Sequence, residues 1–344
     1  MHYTFRKVNH NIGKLHRFFE HTVLEVWGKP NGTFKIEMLH KDFRPLVEKT
    51  AKNKNDYLFK PIRKIYNRFK KLPHGKFTAI IEAYKTNTAI KELCLCKKTP
   101  QDYTWLSTLD KTLSRDIKKF CRNLYEHILP KTNKEFEQEY GTWTDYYYEL
   151  LKANKPNEVC PFCGLNKLKS KKRKGRDAFD HYFPKGHYPF ASIHLLNLFP
   201  TCNDCNSYCK KEKKPTYSAK GEKRKAFFPF SQAIPTLEIE VEVKHLEPFD
   251  YSKNQVDFKF ENATHKQEIE TWRDLYNIDE RYEAELCSSD AKAWLEELQN
   301  HIRLNGKDSV NEYLVPLRKN KLNNRNFLRV PFVEECMKQK IVSA

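Results

Sequence analysis

Residues 160–211 read CPFCGLNKLKSKKRKGRDAFDHYFPKGHYPFASIHLLNLFPTCNDCNSYCKK, with one Cys-x-x-Cys pair, Cys160/Cys163, at the start and a second, Cys202/Cys205, near the end. Thiolates two residues apart grip one tetrahedral ion from a tight turn, and two such turns supply four sulfur ligands. Each pair lies beside turn-forming residues: Pro161 and Gly164 in the first, Asn203 in the second. In a chain without secretory features, this spacing predicts a structural Zn²⁺ site rather than two disulfides. Ordinary buried thiols would have to reproduce the spacing twice by coincidence.

The polar residues between the pairs carry a sharper pattern. They run Phe179-Asp180-His181-Tyr182-Phe183-Pro184, then Asn197-Leu198, then Cys202-Asn203-Asp204-Cys205-Asn206, with Lys210 following. An Asp-His dipeptide alone is usually a turn or a surface pair, so the frame matters more than the dipeptide. The whole line resembles the HNH endonucleases of the ββα-metal (His-Me finger) superfamily in their zinc-ribbon form, over about fifty of the 344 residues. The nine-residue step from Asn197 to Asn206 matches the usual gap of that family. The departure is Asn206, where His is commoner; an amide oxygen still ligates a hard cation.

The resemblance implies a set of roles. His181 is the general base that takes a proton from water, Asp180 and Asn206 hold a catalytic Mg²⁺ or Mn²⁺, and Asn197 braces the loop that fixes the His181 ring. The cation stabilises the leaving 3′-oxygen of a phosphodiester. Cys160, Cys163, Cys202 and Cys205 hold the structural zinc, without which so short a segment buries too little to fold.

Composition agrees with an anionic partner. The formal net charge is +19 and the chain is rich in aromatics, with 23 Phe and 18 Tyr, so it is globular and basic. Between 160 and 214 there are twelve Lys/Arg against four Asp/Glu. Lys171, Lys172, Arg173, Lys174 and Arg176 are expected in a loop that clamps a nucleic-acid backbone, with Lys210 and Lys211 on the scissile strand. A second basic run, Arg63, Lys64, Arg68, Lys70 and Lys71, reads more simply as a solvated helix face. The N-terminus has no apolar signal region and no run approaches a membrane span, so the expectation is a cytoplasmic protein without membrane contact. There is no Walker motif, and hence no ATPase in this chain.

Around this centre, residues 1–152 read as a helical domain from apolar positions at steps of three and four. One long helix is expected from Leu106 through Leu113, Ile117, Phe120 and Leu124 to a stop before Pro130. Residues 153–215 form the zinc-bound nuclease core. Residues 216–344 form a hairpin-plus-helices region, in which Leu237, Ile239, Val241 and Val243 alternate with charged residues and pair with Val256, Phe258 and Phe260. The fold class is therefore α+β: a mostly helical protein with a central zinc-ribbon ββα-metal module and a small β-hairpin.

The expected function is metal-dependent cleavage of DNA, in monomeric or homo-oligomeric form. The alternatives are RNA as substrate, or a zinc-ribbon nucleic-acid-binding module without catalysis. The layout also resembles bacterial anti-phage defence nucleases such as the HNH subunit of Septu systems, which implies an ATPase partner supplied in trans.

Overall fold

The computed structural model describes residues 2–52, 56–128, 134–155, 158–231, 237–247, 253, 255–262 and 264–341. Pro130 lies outside them. The architecture is mostly helical α+β, with two two-stranded antiparallel sheets among the described residues. No helix of the described residues is long and apolar enough to cross a membrane. The chain groups into two compact units: Phe5–Pro156 with Leu168–Ser231, and Met1–Thr4 with Asn157–Lys167 and Gln232–Ala344.

Among the described residues, the larger unit begins with the α-helices α1 (Lys14–His21), α2 (Arg44–Ala51), α3 (Phe59–Phe69), α4 (His74–Asn87), α5 (Ile90–Cys94), α6 (Tyr103–Leu109), α7 (Lys111–Asn123), α8 (Lys134–Tyr140) and α9 (Trp143–Ala153). Then come β1 (Phe179–His181) and β2 (Leu198–Pro200), paired antiparallel with Asp180 opposite Phe199 and His181 opposite Leu198. A π-helix over Asp204–Lys210 follows, so the local order is strand, strand, helix.

The single long helix expected after Leu106 is two helices. Asp110 adopts an extended backbone, φ −158° and ψ 108°, and its carboxylate accepts from the amides of Thr112 and Leu113. A carboxylate in that position satisfies donors that an uninterrupted helix would leave to its preceding turn, and it starts α7 afresh. Apolar periodicity ran through the break because both helices present Leu106, Leu113, Ile117 and Phe120 to one core. That core centres on Trp27, whose ring meets Phe19, Phe69 and Phe120. The tyrosine-rich helix α9 opens with a reciprocal capping box between Thr142 and Asp145.

The smaller unit contains β3 (Glu238–His245) and β4 (Gln255–Glu261), then α10 (Lys266–Tyr276), α11 (Ile278–Leu286), α12 (Ser289–Asn305), α13 (Val310–Lys319) and α14 (Asn326–Lys338). The alternating residues pair as expected, with Ile239 opposite Phe260, Val241 opposite Phe258 and Val243 opposite Val256. Val241, Val243 and Val256 are buried while the intervening Glu240, Glu242 and Asp257 are exposed, the pattern of a sheet covered on one face.

The first Cys turn, within Asn157–Lys167, groups with this smaller unit. The reason is local. Trp272 donates its ring N–H to the Phe162 carbonyl at 2.6 Å, Tyr282 donates its hydroxyl to the Cys163 carbonyl at 3.1 Å, and Phe162 stacks on Tyr276. Gly164 closes the turn at φ +69°, where a Cβ would fall 2.7 Å from His2 Nε2 and 2.8 Å from the Phe327 ring. Only glycine meets both demands.

Candidate nuclease and zinc site

The four cysteines of the two Cys-x-x-Cys pairs are all buried, and their Sγ atoms lie within 4.8 Å of one another. A zinc ion with four bonds of about 2.3 Å needs sulfurs roughly 3.8 Å apart, so the cluster is compatible with one such ion. Cys160 N–H to Asn166 O and Gly164 N–H to Cys160 O, each 2.8 Å, shape the first turn. In the second, Asn206 N–H bonds Cys202 O at 3.0 Å and so starts the π-helix directly from the ligands. A structural site of this kind sets where that helix begins.

Strand β1 carries Asp180 and His181 side by side, both buried, and strand alternation sends their side chains to different neighbours. The Nε2–H of His181 donates to the Ser192 carbonyl at 3.0 Å, since a carbonyl can only accept. Nδ1 is thereby left as the lone-pair nitrogen of the neutral ring. Burial, with the Lys185 ammonium adding to it, pushes the imidazole down to about 3, so it is uncharged at neutral pH. Tyr125 stands edge-on to the ring at 4.5 Å between centroids, and Lys185 lies over the Tyr125 ring.

Asn197 holds the loop between β1 and β2 from inside. Its amide accepts from Phe183 N–H at 2.8 Å and donates to the carbonyls of Phe183 and Ala191, each at 3.0 Å. The same loop is plugged into the helical core by Phe190, fully buried between Phe19 and Tyr84. Phe190 has φ +75°, a conformation costing a non-glycine residue on the order of 1–3 kcal/mol, which core burial must offset. Ser192 Oγ donates to Cys121 O, and Asn87 donates to Pro189 O. The carbonyl that orients His181 is thus held by α4 and α7. No sequence signal marked Phe190 or Ser192, because a positive φ at a bulky residue has no compositional signature.

Lys210 departs most from its expected place. Read as a contact to the scissile strand, it is fully buried, and its ammonium donates to Asp180 Oδ1 and to the His181 carbonyl, both at 2.9 Å. Asp180 Oδ2 is buried without a hydrogen-bond partner. Burial pushes the Asp180 carboxyl up while Lys210 opposes that shift. Asn206 is half-buried four residues before Lys210 on the π-helix, so the face that brings Lys210 to Asp180 also carries Asn206. The i to i+5 bond from Lys211 N–H to Asn206 O widens this turn.

Replacing Lys210 by Met strands a buried carboxylate and is expected to destabilise the chain by about 3–5 kcal/mol, read by denaturant unfolding. Asp180→Asn in the same background should restore part of that loss; strict additivity of the two changes would mean the pair is not coupled.

The other basic residues are divided. Lys171, Lys172, Arg173, Lys174 and Lys211 are exposed. Arg176 packs its guanidinium over Phe179 and donates to the Asp177 carbonyl, so it braces β1. His187 faces Glu212 at 3.5 Å, and His194 packs against His16.

Comparison with known proteins adds one relative. The chain is 36% identical over 84 residues to Protein ea31 of Escherichia phage lambda, a stretch that covers 24% of this chain and 23% of that protein. No protein-family model and no solved structure matches the chain. The chain therefore spans about a quarter of the relative it matches.

Proposed function

We propose that this chain is a metal-dependent HNH endonuclease that hydrolyses DNA phosphodiester bonds. The observation that carries the reading is the geometry at His181: its Nε2–H is spent on the Ser192 carbonyl, leaving Nδ1 as the nitrogen that takes a proton from water. Its ring is held by one of the carbonyls of a loop that Asn197 braces, the positioning a general base requires.

The residues also suit a hard cation. Asp180 Oδ2 is an orphaned buried acceptor, and Asn206 offers an amide oxygen from the same helical face as Lys210. Asp180 and Asn206 would hold Mg²⁺ or Mn²⁺, which when bound supplies positive charge to a leaving oxygen. His181 keeps its proton-accepting nitrogen independent of that pair, because it reaches a different neighbour from the same strand. Lys171 to Lys174 and Lys211 are exposed cations suited to phosphates.

One observation favours the second reading, a zinc-ribbon binding module without catalysis. The Lys210 ammonium already neutralises Asp180, which is what a site that never takes a divalent cation would keep. The two readings separate in one assay. Supercoiled plasmid and an RNA of matched length are incubated with the purified chain in Mg²⁺, Mn²⁺ or EDTA. The nuclease reading expects DNA cleavage with either metal and none in EDTA. Binding of DNA without cleavage under every metal would leave the binding module; cleavage of RNA alone would replace the substrate.

A further inference from the structure

Helix α7 carries five cations, Lys111, Arg115, Lys118, Lys119 and Arg122, all exposed. At 100° per residue they fall within an arc of about 100° on one side of the helix. Its single acid, Asp116, is turned inward to α3, where Lys64 at 2.9 Å and Arg68 at 3.2 Å engage it, with Arg115 at 3.6 Å. The α3 cations, which looked like the solvated face in the sequence, therefore serve partly as internal partners; of the exposed α7 cations, Arg115 also reaches Asp116, Lys118 lies over the Tyr103 ring and Arg122 pairs with Glu126, while Lys111 and Lys119 complete the strip.

An ordinary solvated helix mixes signs so that neighbours three and four apart attract. Here Lys111–Arg115, Arg115–Lys119 and Lys118–Arg122 are like-charged pairs four apart, each unfavourable by roughly 0.2–0.5 kcal/mol. Five exposed cations on one arc present a concentrated positive potential to any anion outside.

The strip also leads somewhere. Its C-terminal end runs through Arg122 into a π-helix, Leu124–Ile128, that holds Tyr125 and Glu126. Tyr125 touches His181, and Glu126 is paired with both Arg122 at 2.7 Å and Lys185 at 2.8 Å. From Lys111 to Arg122 the helix rises about 17 Å, at 1.5 Å per residue. That length corresponds to about five base-pair steps along a duplex axis, at 3.4 Å each.

We propose that the outer face of α7 is a track for the phosphate backbone of a DNA duplex, which it delivers to the His181 site. The inference rests on the nuclease reading for its destination and on α7 alone for its binding chemistry. The surface is sequence-blind, since lysine and arginine on phosphates position a duplex without reading its bases.

The test measures binding in EDTA, so that it is independent of whether the chain cuts. A fluorescein-labelled duplex is titrated by anisotropy across a series of salt concentrations with the wild type and with a variant carrying Arg115→Gln, Lys118→Gln, Lys119→Gln and Arg122→Gln. The expected result is at least a tenfold loss of affinity and a fall in the slope of log K against log salt by up to about 3.6, near 0.9 for each of the four lost phosphate contacts. A control removes four exposed cations elsewhere, at Arg303, Lys307, Lys319 and Lys338, by the same change to Gln. An equal loss in the control would show that net charge alone binds DNA and would overturn the track.

Unchanged affinity and slope in the α7 variant would overturn it as well, as would tighter binding of an RNA duplex of equal length. If the fourfold variant fails to fold by circular dichroism, Lys118→Gln/Lys119→Gln is used, with about half the change in slope expected. Failure of cleavage in the plasmid assay, with the slope change intact, would remove the nuclease and keep the track.

Discussion

Removing zinc is expected to lower the melting temperature of this chain by roughly 10 °C or more, and Cys205→Ser should do the same without a chelator. The size follows from what the four sulfurs hold. Strands β1 and β2 are three residues each, far below the length at which a two-stranded ribbon is stable alone. The π-helix after Cys202 starts from the second Cys turn, and the first turn is closed by two backbone bonds and a glycine at positive φ. A structural zinc contributes on the order of 10 kcal/mol to small domains that fold around it. The four thiols lie within 4.8 Å of one another, close enough for one ion to tie both turns together. The checks are metal content by mass spectrometry, with one zinc per chain expected, and calorimetry with and without a chelator. A purified chain that holds no zinc, has its cysteines in disulfides and melts unchanged with chelator would exclude the metal-held site.

His181→Ala is expected to reduce metal-dependent DNA cleavage by roughly a hundred- to ten-thousandfold while leaving duplex affinity within about twofold. General-base catalysis is worth roughly 10²–10⁴-fold, and no other described histidine is equally placed: His187 faces Glu212 and His194 packs on His16. The substitution also frees the Ser192 carbonyl and leaves space beside Tyr125. A loss of about 1–3 kcal/mol of stability is therefore expected alongside, and cleavage must be compared at a temperature where both proteins are folded. Ser192 is also tied to Cys121 and Asn197 to Ala191, so the loop should survive the change. A variant that cuts as fast as wild type would assign the base elsewhere; one that neither cuts nor binds would report unfolding and would require His181→Gln.

Much of the secondary structure follows from local pattern. The apolar steps of α1, α3 and α7 and the alternation of β3 and β4 are sequence properties, because each element must bury one face whatever it meets. The four cysteines are legible for a related reason: spacing in a turn dictates where two sulfurs can reach, and the cluster is there. Asn197 carried no local signal beyond its place in the line with Asp180, His181 and Asn206, yet its three hydrogen bonds are geometric facts of the loop.

Tertiary structure decided the rest, and the physical reason is the same in each case. Lys210 follows Asn206 by one turn, and a lysine in a basic run is ordinarily solvated; only the approach of the π-helix to β1 turns it inward to neutralise a buried carboxylate. Arg176 belongs to an exposed run by sequence, but the Phe179 ring captures it. Asp110 interrupts an unbroken apolar period because a cap acts on backbone donors, which periodicity does not report. Phe190 reaches a positive φ because the helical core rewards burial of its ring by more than the strain costs. Asp116 of α7 is taken up by Lys64 and Arg68 of α3, a pairing that neither helix's sequence shows alone. Sequence pattern determines which faces must be buried and which side chains can ligate; the packing of one element on another determines which charges are consumed inside and which remain for a partner.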